Sequence, residues 1–178
     1  MNDDQIKEIL LASLSNLQNN DSWLLTKNLS EQSVSHKLAE YLQRYLNDYN
    51  VDCEYNGDID DPNSRKHIAI LRNQLEQNGL LSIRETRLER EIIERAVFPD
   101  IIVHKRGNNK NNLLIIEVKK ASSNVPFDYD RLKLIAYTTS AQGNHLKYQL
   151  GAFIVTNESG NCTIEYYKDG MLLNNLLL

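Results

Sequence analysis

Two cysteines, three prolines and a single tryptophan in 178 residues leave several classes of protein without support. Cys53 and Cys162 are too few for a disulfide scaffold and suit a reducing compartment, so a cytoplasmic setting is expected. No stretch approaches the roughly 20 apolar residues of a membrane span, and no membrane partner is expected. The opening Met1-Asn2-Asp3-Asp4 is acidic where a secretory signal is basic, and no cleavable apolar segment follows it. Internal repeats, low-complexity tracts and Pro/Gly/Ser-rich linkers are missing, and the length fits one domain over residues 1–178. G-x-S-x-G, Walker-type and dinucleotide-binding glycine motifs are absent too, which removes the usual support for serine hydrolases and nucleotide-cofactor enzymes. His36, His67 and His145 stand alone, with no Cys or His at zinc spacing.

What is present is an ordinary globular composition, 41% hydrophobic and 25% charged, with a net charge of −4. That balance argues against a basic coat protein for nucleic acid. The charge is unevenly spread: residues 1–83 are net acidic, and residues 84–133 carry 11 basic groups against 8 acidic ones. A protein that meets phosphates at one cleft would show such a bias, as would ordinary scatter of surface charge.

Hydrophobic periodicity predicts an amphipathic helix over residues 3–18, with Ile6, Ile9, Leu10, Leu14 and Leu17 on one stripe. A second helix is predicted from Leu29 to Asp48, with Asn28 or Ser30 as its cap. Val51–Tyr55 reads as a short strand, and Asp58–Asn63 as a polar turn. The spacing of Ile68, Leu71 and Leu75 predicts a helix over 64–77, while residues 80–96 fit a helix whose end can run on as strand. Two apolar runs, 101–105 and 113–119, form a predicted hairpin around the polar turn Arg106–Asn112. A helix over 128–141 follows, with Asp128 near its cap and Leu132, Ile135, Ala136 and Thr139 inward. Strands over 149–156 and 162–167 come last, and Gly151 is expected to relieve packing against a helix. This order predicts an α/β fold with a mixed central sheet flanked by helices, an extra N-terminal helix and a helical insertion at about 58–96.

Three charged groups interrupt the ends of the hairpin strands: Asp100, Glu117 and Lys119. Side chains alternate along a strand, so Glu117 and Lys119 share a face. In two of the nearby antiparallel registers Asp100 lies opposite one of them; a one-residue slip turns it away. Two carboxylates beside an apolar sheet repel one another and resist desolvation, and a divalent cation resolves both problems. Oxygen donors suit Mg²⁺, which polarises phosphodiesters and activates water. Lys119 can then orient that water or stabilise the pentavalent phosphate. A strand-end ion pair also explains a lone Glu-x-Lys. The chain, however, holds one Glu-x-Lys and one Pro-Asp, in the required order on adjacent apolar runs.

Pro99-Asp100 followed by Glu117-Val118-Lys119 resembles the motif of the PD-(D/E)xK nuclease superfamily, and the element order resembles its restriction-endonuclease-like αβββαβ core. Ser30-Glu31, Leu38-Ala39, Val51–Asn56, Pro99–Gly107, Asn112–Lys120 and Asp130–Leu134 are similar to an uncharacterised bacterial family within it. The resemblance spans about 29–156. It implies metal-dependent cleavage of nucleic acid, most often DNA, with Mg²⁺ (or Mn²⁺) held by Asp100 and Glu117 and with Lys119 as the catalytic lysine. Glu31 stands where many members place a further metal-reaching glutamate. The superfamily also contains inactive relatives, so a non-catalytic module that binds nucleic acid or protein is the alternative.

Glu31 has a second reading as the reciprocal glutamate of a capping box starting at Asn28. Glu54 reads either as a neighbour of the metal centre or as an exposed edge-strand acid, and His104 either as a phosphate contact or as a satisfied, partly buried histidine, the second being favoured. Lys105 and Arg106 on the hairpin tip, with Lys120 and Lys133, are candidate contacts to backbone phosphates. A homodimer is expected for cutting both strands of a duplex, and the 58–96 segment reads as a dimer arm or a substrate clamp. Because ligand carboxylates must be ionised and water partly deprotonated, the cleavage rate is expected to climb from acidic to mildly alkaline pH. A flat profile with intact metal dependence would count against metal-activated water.

Overall fold

The computed structural model describes residues 1–27, 29–58, 60 and 65–177, the last four by their backbone alone. Asn2 caps α1 (Asp3–Asn20) in a reciprocal box with Gln5, and the stripe Ile6, Leu10, Leu14 and Leu17 is buried. A one-turn α2 (Ser22–Thr26) leads to α3 (Glu31–Tyr45), whose Ser30 side chain accepts from the Ser33 N–H. Ser30 is therefore the cap; the alternative, Asn28, lies outside the described residues.

Next comes β1 (Asn50–Cys53), shorter than the 51–55 expectation because Glu54 takes a left-handed φ of 51°. The 58–96 segment departs most from its helical reading. It holds β2 (His67–Leu71), α4 (Arg72–Gln77), α5 (Ile83–Thr86) and β3 (Ile92–Ala96), with β2 and β3 paired antiparallel as a separate two-stranded sheet. Ile68 and Ile70 repeat with the period of a strand, and both are buried, as is Ile93 opposite Ile70. The helical spacing of Ile68, Leu71 and Leu75 arose because a strand and a helix meet at residue 71. The expected turn over 58–63 lies mostly outside the described residues.

The main sheet is built from β1, β4 (Ile101–His104), β5 (Leu114–Lys120), β6 (Leu150–Thr156), β7 (Cys162–Lys168) and β8 (Met171–Leu177), in that order across the sheet. All neighbours are antiparallel except β5 and β6, which are joined by α6 (Asp128–Thr138) as the crossover a parallel pair needs. The sheet is thus mixed, six-stranded and flanked by helices, as an α/β fold. Its last strand, β8, lies in a C-terminal segment given no element by the sequence reading. No helix among the described residues is long and apolar enough to cross a membrane.

Alternation along the strands divides the interior in two. Ile101, Val103, Leu114, Ile116 and Val118 face α1 and α3. Ile102, Ile115 and Phe153 face α6 together with Ile68, Ile70, Leu75 and Ile93 of the 58–96 segment. That segment is part of the core. Gly151 of β6 lies beneath α6: a Cβ there would meet Leu134 Cδ2 and Thr138 Cγ2 at 3.2 Å and Tyr167 Cβ at 3.3 Å. Gly151→Val is therefore expected to cost about 1–3 kcal/mol by overpacking, read as a lower urea midpoint with an unchanged m-value.

Candidate active site

The β4–β5 ladder pairs Ile101 with Ile116, Ile102 with Ile115 and Val103 with Leu114. One step further, Asp100 falls opposite Glu117. The Val118 N–H seals this arrangement by donating to Asp100 Oδ2 at 2.7 Å. Residues 115, 117 and 119 of β5 look toward α6, so Glu117 sits on an otherwise apolar face, only 1% exposed.

Helix α6 answers that charge. Lys133 Nζ donates to Glu117 Oε2 at 2.7 Å and lies equally close to Asp130 Oδ1, three residues earlier on the same helical face. Asp130 Oδ2 is 3.6 Å from Lys119 Nζ, which lies 3.3 Å from Glu31 Oε2. Glu31 Oε1 accepts the backbone N–H of Lys120 at 3.1 Å. A chain of alternating charges thus runs from Glu31 through Lys119, Asp130 and Lys133 to Glu117, with Asp100 beside its inner end. The other oxygen of Glu117, Oε1, is buried without a hydrogen-bond partner, and so is the hydroxyl of Tyr137, four residues after Lys133.

Burial pushes the Glu117 carboxyl up to about 8; the charge of Lys133 opposes this, while Asp100 and Asp130 add to it. Burial also raises Asp100, against the Val118 N–H and the two lysines. For Lys133, burial disfavours the ammonium, but Glu117 and Asp130 outweigh it and hold its pKa above the usual lysine value. Lys119 is likewise raised, with Asp130 and Glu31 overcoming desolvation. Burial first, and then the charge of Glu117, lifts the Tyr137 phenol well above its ordinary value.

The structure therefore brings Asp100, Glu117, Lys119 and Glu31 to one end of the sheet. With Ser30 as the cap, Glu31 is the first residue of α3 rather than the third, the place of a capping-box glutamate. The Glu31 carboxylate is turned to Lys119 and the Lys120 amide. Among the described residues, the one group of three ligand atoms within 4.8 Å of one another is Asp58, Asp60 and His145, outside this site. There His145 Nε2 pairs with Asp58 at 2.7 Å and the Asn109 amide donates to both carboxylates. His145 is not isolated after all: its partner lies 87 residues away in sequence.

The candidate phosphate contacts separate. Lys105 and Arg106 lie at the opposite end of β4 from Asp100, about 16 Å along the strand at ~3.3 Å per residue. Arg106 is held by Asp52, which also bonds buried His104 at 2.9 Å, and Lys105 Nζ lies 5.5 Å from the Tyr49 ring centroid. Lys120 stays at the site through its backbone bond to Glu31. Lys133 is buried, with its ammonium turned inward, and so is no surface contact to a phosphate. The face of α6 agrees with the expected one in part: Leu132 and Ala136 are buried and Asp128 lies next to the cap residue Phe127, but Asp130, Lys133, Leu134 and Tyr137 are buried too, whereas Ile135 and Thr139 are only half-buried. The 3,4 spacing of Asp130, Lys133 and Tyr137 was the available signal, outranked by the apolar residues between them. Glu54 is exposed, and its carboxylate accepts from Gln32 at 2.6 Å.

No protein-family model matches the chain, and neither a curated protein nor a solved structure does.

The raised pKa of Glu117 links the site to stability. The unfolded chain releases this proton near 4.5, whereas the folded chain holds it to about 8. The stabilisation from the protonated group is therefore complete below the unfolded value and is lost as pH rises through the folded one. Without divalent cations, the melting temperature is expected to fall between about pH 5 and 8, with a shallower slope in Glu117→Gln. An identical slope in the variant would place the proton elsewhere.

Proposed function

We propose that the chain is a metal-dependent nuclease of restriction-endonuclease-like type that hydrolyses phosphodiester bonds of nucleic acid, DNA foremost. The observation that carries this reading is the fully buried Glu117 carboxyl group, opposite Asp100, with one oxygen in no well-formed hydrogen bond and only the Tyr137 hydroxyl as a polar neighbour. A buried carboxyl oxygen without a partner costs a fold about 1–3 kcal/mol; without a cation Glu117 avoids the larger cost of a buried charge by holding its proton to about 8, and a bound cation would favour the ionised form instead. The donors fit a hard cation: Asp100 and Glu117 would hold Mg²⁺ or Mn²⁺ through oxygen alone. When bound, such an ion supplies Lewis acidity toward a phosphodiester. Lys119, held by Glu31 and Asp130, presents a fixed positive charge where the phosphate becomes more negative. The order α3, β1, β4, β5, α6, β6 supports the αβββαβ core expected of that type. A duplex needs two such sites, so a homodimer belongs to the same reading.

A non-catalytic nucleic-acid- or protein-binding module is favoured by a different observation: Lys119 and Lys133 are each already paired with carboxylates inside the site, Glu31 and Asp130 for the first and Asp130 and Glu117 for the second. Incubation with single- and double-stranded DNA and RNA, with and without Mg²⁺ or Mn²⁺, separates the two. The nuclease cleaves only with metal, and Lys119→Ala lowers its rate by about a hundredfold or more while Asp100→Ala, which removes a ligand, abolishes cleavage at every metal concentration tested. Intact substrates under every condition, with binding retained, would establish the module instead.

A further inference from the structure

We propose that this site works with two lysines, Lys119 and Lys133, and that Asp130 is the positioning residue that holds both. The catalytic part of this inference rests on the nuclease reading; its geometry does not. Asp130 is buried, 4% exposed, and each of its oxygens faces a different ammonium, Lys133 at 2.7 Å and Lys119 at 3.6 Å. The two lysines come from different elements. Lys119 is the second-to-last residue of β5, while Lys133 lies one turn into α6, so a side chain of the first turn of α6 is what ties the helix to the strand end. Lys133 also touches Glu117, the carboxylate with the unpartnered oxygen. Asp130 therefore fixes one positive charge against the buried carboxylate and a second nearer the solvent, where Lys119 also meets Glu31.

Tyr129 strengthens the placement from outside. Its ring lies 5.5 Å from Lys133 Nζ and 5.0 Å from the Arg95 guanidinium of β3. Arg95 is itself clamped by a bidentate pair with Glu85 at 2.8 and 2.7 Å and by a bond to the Leu80 carbonyl. The first turn of α6 is thus braced from the 58–96 segment, and Lys133 has little freedom to leave Glu117.

An ammonium-selective ¹H–¹⁵N correlation spectrum of the full chain tests this directly, because a buried, doubly paired lysine exchanges its protons slowly. A sharp Lys133 signal is expected, told apart from that of buried Lys66, which donates to the Gly57 carbonyl, and assigned by its loss in Lys133→Met. In Asp130→Asn that signal is expected to shift or broaden. Mn²⁺ affinity and KM should stay within threefold, while kcat falls about a hundredfold. The double variant Asp130→Asn/Lys133→Met should be no worse than the poorer single variant, as expected for residues acting as one unit. A spectrum in which Lys133→Met removes no slowly exchanging ammonium signal, or a Lys133 signal indifferent to Asp130→Asn, overturns the proposal whatever the activity. Tenfold or greater loss of Mn²⁺ affinity in Asp130→Asn overturns it too, because Asp130 would then be a ligand. If the wild-type chain cleaves nothing while the ammonium signal responds as expected, the nuclease reading fails and the positioning role stands.

Discussion

A carboxylate at the centre of an apolar sheet face sets the terms for the rest of this structure. Glu117 occupies a position on β5 between Ile115 and Lys119 where a core residue would otherwise lie, under a helix that must cover it. Removing one partner of such a buried pair costs about 3–5 kcal/mol if the remaining charge is kept. Helix α6 meets the constraint with Lys133, and Lys133 in turn requires Asp130. The orientation of α6 follows from this: the face it presents to the sheet is partly ionic, and its apolar residues Leu134 and Ala136 pack around that centre.

What the sequence made legible was local and periodic. The hairpin strands could be seen as two β-branched apolar runs, and alternation put Glu117 and Lys119 on one face. Whether Asp100 met them depended on a register that sequence left open between neighbouring values; the pairing of Ile101 with Ile116 settles it. The extra N-terminal helix was equally plain, because its apolar stripe is long. The 58–96 segment was misread because a strand of five residues abuts a helix of six, and apolar positions drawn from both mimic a single helical period. Glu31 shows a different failure. Its sequence neighbours suggested a capping box, but its partners Lys119 and Lys120 lie nearly ninety residues away, beyond the reach of local spacing.

Charge clustering in sequence also proved a poor guide to position. Lys105, Arg106, Lys120 and Lys133 lie within the most basic stretch of the chain, yet a four-residue strand separates the first two from Asp100. Arg106 is taken up by Asp52, and Lys133 by two buried carboxylates. The cations that matter to the site are those whose anions are close in space.

The segment between β1 and β4 has the appearance of an insertion in the chain, but half of the hydrophobic layer beneath α6 comes from it. Ile68, Ile70, Leu75 and Ile93 wall one side of the space the helix fills, and Arg95 reaches from the same segment to the ring of Tyr129. A trimmed version reduced to the six sheet strands and the long helices would lose that wall. The helix would then roll or lift, separating ammonium from carboxylate, so reactive geometry and what looks like decoration have to be inherited together.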